Sequence, residues 1–145
     1  MTVPEITVCN LQRKIPVNVT ELERFARNAV HNSLQVHRRE QTDLCKLGEI
    51  FIWLISDRRM VLLHRKFLGQ SGSTDVLTFQ HGEIFISIET ARRHAHAFGN
   101  SLTGELKLYI VHGLLHLHGF DDQTPAQARK MNTVQEKILR CALSC

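Results

Sequence analysis

A chain of 145 residues, 43% hydrophobic and 22% charged, can bury one core but is too short to build two, so a single domain over residues 1–145 is expected. Eighteen Lys and Arg against fourteen Asp and Glu leave a formal net charge of +4, which leans toward a polyanionic partner. No leader-like segment or bilayer-length apolar run occurs, and Cys9, Cys45, Cys141 and Cys145 show no CxxC spacing, so a membrane span and a disulfide scaffold are both set aside in favour of a cytoplasmic protein with reduced thiols.

Alternation over Ile6 to Asn10 predicts a first strand. Thr20 with Glu23 spells a capping box, after which Leu22, Phe25, Ala26, Ala29, Val30 and Leu34 recur at helical spacing. The nearly continuous apolar run from Gly48 to Ile55 predicts a strand covered on both faces. Ser56 and Asp57 then cap a helix from Arg58 to Leu68 that stops at Gly69. Asp75 to Phe79 and Glu83 to Ile88 form a hairpin across Gln80, His81 and Gly82. Helices follow over Glu89 to Phe98 and Ser101 to His118, divided by Gly99. Thr124, Pro125 and Gln127 open a last helix to about Leu143. The expected class is α+β: a small mixed sheet of about four strands packed by about five helices.

The most informative stretch is "VHGLLHLHGFDDQ", Val111 to Gln123. His112 and His116 stand one helical turn apart on one face, a spacing at which two imidazoles can share a metal ion. Leu106, Leu108, Tyr109, Ile110, Val111, Leu114, Leu115 and Leu117 cover most of the remaining surface, which makes this helix a buried one. An unsatisfied buried imidazole costs roughly 1 to 3 kcal/mol, so the pair needs partners. Gly119 can turn the chain at Phe120 and bring Asp121 or Asp122 back as a third ligand. The alternative is a pair of core histidines hydrogen-bonded to backbone or to the aspartates, which would then cap the final helix. His118 lies about 160° from His116 around the helix and is expected to point away, to the surface.

"HGLLHLHGFDD" resembles the signature of the YbeY family of metal-dependent endoribonucleases of ribosomal RNA maturation. "STDVLTF", Ser73 to Phe79, "GEIFISIETA", Gly82 to Ala91, and Glu105-Leu106 resemble further segments of that family. The resemblance implies a single-strand-specific endoribonuclease that matures the 3′ end of 16S rRNA and takes part in ribosome quality control, with the small ribosomal subunit and its assembly factors as partners. It also implies one zinc ion on His112, His116 and Asp122. His112, His116, Thr74 and Asp75 are then the catalytic candidates, Thr74 and Asp75 offering a hydroxyl and a carboxylate at the cleft mouth. Alternatively, those two only bond their own backbone at the start of a strand.

Two positions depart from the family pattern. Asp122 stands where the family usually has its third histidine, and Leu68 where it has an arginine. A carboxylate is a competent zinc ligand, and its charge widens the choice toward harder divalent ions such as manganese. For the arginine, the candidate substitutes are Arg65 and Lys66, one turn earlier.

A metalloprotease with the same histidine spacing needs a glutamate after the first histidine, and here that residue is Gly113. Glu105 lies two turns from His112, at the edge of any cleft, or serves only as an acid at the helix N-terminus. A non-enzymatic alternative is an RNA-binding ribosome-assembly factor with a structural metal. It would bind through a basic face drawn from Arg38, Arg39, Arg58, Arg59, Arg65, Lys66, Arg92 and Arg93. His94 and His96 do not share a helix face and carry no expected role.

Overall fold

The computed structural model describes residues 3–68 and 74–143, without the side chains of Leu68 and Leu143. Gly69, Ser73 and Cys145, and the side chain at the departure Leu68, therefore lie outside the described residues.

Strands β1 (Glu5–Asn10), β2 (Glu49–Ile55), β3 (Val76–Phe79) and β4 (Glu83–Ser87) form one sheet in the order β1-β2-β4-β3. The first three strands in that order run parallel and β3 pairs antiparallel to β4, with Val8 opposite Ile52, Ile52 opposite Ile84 and Leu77 opposite Phe85. The parallel pairings need helical crossovers. They are supplied by α1 (Val19–Leu34) with the short α2 (Asp43–Lys46), and by α3 (Asp57–Leu68) ahead of the hairpin. Helices α4 (Ile88–Phe98), α5 (Leu102–Leu117) and α6 (Pro125–Leu143) complete the chain. The α+β class holds, and α2 is the one helix that periodicity did not show, being a single turn.

One face of the sheet is fully buried. Ile50, Ile52, Leu54, Ile84 and Ile86 are all 0% exposed there, in the same cluster as Leu106, Ile110 and Leu114 of α5. The other face is only half covered, contrary to the expectation for β2. Its Phe51 and Trp53 are half-buried in a row of rings, with centroids 5.6 Å apart for Phe51–Trp53 and 6.3 Å for Trp53–Phe85. Aromatic stacking, rather than a full helical layer, explains why that side also reads as apolar.

Caps decide the helix boundaries. Helix α1 is capped by Asn18, whose Oδ1 accepts from Glu21 N at 3.1 Å, so the Thr20–Glu23 box does not form. Thr20 sits inside the helix, and Glu23 instead accepts from Val8 N at 3.0 Å, tying α1 to β1. For α6 the box is present: Gln127 N donates to Thr124 Oγ1 and Thr124 N to Gln127 Oε1, both at 3.1 Å. Asp57, at the start of α3, accepts from Ser87 Oγ, from Thr90 Oγ1 at 2.7 Å and from Arg93 Nη1 at 2.8 Å. Burial alone would raise the Asp57 pKa, but these hydrogen bonds and the charge of Arg93 together hold it below the usual carboxylate value.

Helix α5 approaches the sheet at Gly113, where a Cβ would stand 2.9 Å from two side-chain carbons of Ile84. This close contact sets the height of the His112 turn above β4. At an ordinary helix position Gly→Ala gains up to about 1 kcal/mol. Here overpacking of about 1–3 kcal/mol should outweigh it, so Gly113→Ala should lower stability in denaturant titration. The double variant with Ile84→Ala should be no less stable than Ile84→Ala alone. A stabilising Gly113→Ala would show that the contact is not tight.

Candidate metal centre

His112 and His116 leave the apolar surface of α5 on the side facing an open cleft, their side chains 29% and 27% exposed. They are therefore not core histidines. His116 Nδ1 lies 3.0 Å from the carbonyl oxygen of Phe120, and His112 Nδ1 lies 3.0 Å from Gln135 Oε1 on α6. A carbonyl oxygen can only accept, so in each ring Nδ1 carries the proton and Nε2 carries a lone pair. The two Nε2 atoms face each other at 3.0 Å. Asp122 Oδ2 is 3.5 Å from the first and 3.8 Å from the second.

Two lone pairs and a carboxylate in contact repel unless a cation joins them. An added proton is disfavoured, because burial and the neighbouring His116 push the His112 pKa below the ordinary imidazole value, against smaller opposing effects of Gln135, Asp122 and Asp75. A depressed imidazole pKa means that the folded state binds fewer protons than the unfolded chain. The resulting stability is present above the ordinary histidine value and is lost as pH falls through the folded pKa. A metal ion would satisfy all three groups at once. His112, His116 and Asp122 offer ligand atoms all within 4.8 Å of one another, a two-imidazole, one-carboxylate set suited to zinc. The hydrogen-bonded Nδ1 groups are the outer contacts that orient such ligands.

The turn that returns Asp122 is fixed from three sides. Gly119, at φ 86°, allows a Schellman closure in which Phe120 N bonds Leu115 O at 3.0 Å and Gly119 N bonds His116 O at 3.1 Å. Arg38, from the loop after α1, donates to Gly119 O at 2.9 Å and lies 4.1 Å over the Phe120 ring. Asp121 Oδ1 accepts from Asp122 N at 2.8 Å. His118 is not a ligand, but neither is it at the surface. It is 2% exposed, and its Nε2 lies 2.7 Å from Val36 O while Nδ1 lies 2.8 Å from Thr42 Oγ1. The helix points His118 away from the pair, and the segment from Val36 to Thr42 covers it there. Burial is the first cause of its lowered pKa, and the nearby Arg38 charge adds to it.

The cleft has a volume of about 630 Å³ and is walled by Val76, Leu77 and Thr78 of the edge strand β3 and by the turn from Gly119 to Gln123. Asp75 stands at the start of β3, where its Oδ1 accepts from Val76 N at 2.8 Å. Its charge reaches both His112 and Tyr109. Thr74 is half-buried beside it and is not among the described residues that line the cleft. Arg65 and Lys66 are exposed on α3, where Lys66 lies 5.4 Å over Phe67, and neither is among those lining residues.

Several partners were invisible to spacing because they come from other elements. Gln135 sits on the α6 face that meets α5. Tyr109 links His94 Nδ1, 2.7 Å away, to the buried Glu105, which accepts from Asn100 Nδ2 at 2.9 Å. Burial first, then the charges of Asp75 and Glu105, raise the Tyr109 pKa, so the phenol stays protonated. Glu105 therefore anchors a polar chain behind His112 rather than a cleft edge.

Removing the Nδ1 acceptor with Gln135→Leu should weaken zinc binding about 10- to 100-fold while leaving the fold intact. Asp122→Ala should lose most of the metal and Asp122→His should keep it. Asp121→Ala should keep it, with stability lower by about 1 kcal/mol for the lost hydrogen bond to Asp122 N. Metal analysis and melting curves of the four proteins check this. Metal lost in Asp121→Ala and kept in Asp122→Ala would assign the third ligand to Asp121.

Comparison with known proteins shows the family and the fold. A protein of Anaeromyxobacter sp. strain Fw109-5 named Endoribonuclease YbeY is 38% identical over 103 residues, 64% of this chain and 54% of the relative. This chain thus matches only about half the length of that relative. The protein of the same name from Bacteroides thetaiotaomicron is 32% identical over 120 residues, 72% of this chain and 88% of the relative. The fold is that of the solution structure of TM1509 from Thermotoga maritima, with a TM-score of 0.67 at 23% identity over 96% of this chain and 89% of the other. Residues 7–142 match the family described as Endoribonuclease YbeY, and the chain belongs to that family.

Proposed function

We propose that the chain is a metal-dependent endoribonuclease of ribosomal RNA maturation, cutting single-stranded RNA with one zinc ion held by His112, His116 and Asp122. The observation that carries this reading is the pair of Nε2 lone pairs at 3.0 Å beside the Asp122 carboxylate, in an open cleft of a chain belonging to a family named for that activity. An ion held there would supply Lewis acidity, stabilising charge that builds on a phosphodiester and lowering the pKa of water. The protein's own groups prepare the site. Gln135 and the Phe120 carbonyl fix the imidazole tautomers, and the depressed His112 pKa keeps that ring neutral. Asp75, whose charge reaches His112 from the start of β3, and Thr74 before it are the remaining catalytic candidates by resemblance to the family. Asp122 makes the site more negative than three imidazoles would, which extends the metal choice to manganese.

Gly113 bears no carboxyl group, so the general base of a zinc protease is missing. No helix among the described residues is long and apolar enough to cross a membrane. A cytoplasmic location with the small ribosomal subunit as partner, in processing of the 3′ end of 16S rRNA and in ribosome quality control, accords with the family and the basic charge.

Purified protein should contain about one zinc-type ion per chain and cut a single-stranded RNA. A chelator should abolish cleavage and added zinc should restore it, while His112→Ala should lose both metal and cleavage. Cleavage that persists unchanged in the chelator or in the His112→Ala variant would refute the metal-dependent reading. A full complement of metal with no cleavage would point to the RNA-binding assembly factor instead.

A further inference from the structure

A second concavity, of about 720 Å³, adjoins the metal cleft and shares Asp43, Leu117 and Gly119 with it. Its rim carries Arg38 and Arg39, from the loop after α1, and Lys130, from α6. These cations are brought together from distant parts of the chain. Arg38 is committed to Gly119 O and the Phe120 ring, whereas Arg39 and Lys130 are exposed and have no partner among the described residues. The other cations of the expected basic face lie elsewhere. Arg93 is bound to Asp57, and Arg59 and Lys66 border an apolar groove of Leu62 and Phe67 on α3. Two carboxylates, Glu40 and Asp43, also line the concavity.

We propose that this concavity is the track along which an RNA strand enters or leaves the metal cleft, with Arg39 and Lys130 holding its phosphates. The proposal rests on the nuclease reading and adds the path of the substrate. The mixture of charges favours a single strand over a duplex. Paired bases hide their Watson–Crick edges, whereas an unpaired strand offers N–H donors to Glu40 and Asp43 while its phosphates meet the cations. A uniform anionic rod would meet those carboxylates with repulsion. The two concavities meet at Asp43, Leu117 and Gly119, so a strand held by Arg39 and Lys130 lies next to the cleft that contains His112 and His116.

The test uses the metal-loaded full chain and a fluorescein-labelled 12-nucleotide single-stranded RNA. Arg39→Glu with Lys130→Glu is compared with Lys14→Glu with Arg24→Glu, which makes the same change of net charge on the loop after β1 and on α1, outside the track and the cleft. The track pair should raise KM at least tenfold, leave kcat within about twofold and metal content unchanged, and flatten the salt dependence of kcat/KM by more than one unit in the log–log slope. The control pair should shift KM only a few-fold. Equal shifts in the two pairs, or an unchanged KM in the track pair while the wild type cuts RNA, would overturn the track and leave the nuclease reading standing. If the wild type leaves the RNA whole, the nuclease reading has failed. The intact oligonucleotide then reports Kd by anisotropy, and the track stands only if Kd rises at least tenfold in the track pair over the control pair.

Discussion

A helix that is apolar nearly all round must be surrounded, and α5 is the constraint on which the remaining structure depends. Each large aliphatic side chain it buries is worth roughly 1.5–3 kcal/mol, which is available only if sheet and helices close around it together. The isoleucines of β2 and β4 take one side, with Gly113 letting the backbone come down onto Ile84. Helices α1, α4 and α6 take the rest. A cleft opens where His112 and His116 emerge, so the polar exception in the helix and an opening in its enclosure coincide.

From that enclosure follows the state of the imidazoles. Two neighbours fixed by packing, the Gln135 amide and the Phe120 carbonyl, take both Nδ1–H groups, and the lone pairs left over can only face inward. The candidate metal set is thus a consequence of what lies behind the histidines as much as of their spacing. The Gly119 turn, pinned by Arg38 and by the Schellman closure, holds the Asp122 carboxylate 3.5 Å from His112 Nε2. The same loop that supplies Arg38 buries His118 and presents Arg39 to the neighbouring concavity. Ligand placement and the proposed substrate path therefore depend on one segment.

Much of this was legible in the residues. The four strands, the capping box of α6, the stop at Gly99 and the His-x3-His-x5-Asp constellation all follow from local rules, because period, cap and turn act within a few residues. Failures occur where a distant group decides. Asn18 outcompetes Thr20 as a cap, while Glu23 is drawn off to Val8. A helical wheel turns His118 away from the pair but cannot show the loop that covers it. Gln135, and the chain from Asn100 through Glu105 and Tyr109 to His94, link elements whose meeting only the fold determines. Leu68 carries a question that spacing raised, and its side chain lies outside the described residues.

The tautomeric state of the two site histidines is the most direct test of the metal centre, and nitrogen-15 NMR of the side-chain rings reads it. Both His112 and His116 should carry the proton on Nδ1, with Nε2 unprotonated in the metal-free protein at neutral pH and shifted strongly when one equivalent of zinc is added. His118 should show the opposite tautomer, with the proton on Nε2, and should not respond to zinc. An Nε2-protonated ring at His112 or His116 that is unmoved by zinc would contradict a metal site on this helix.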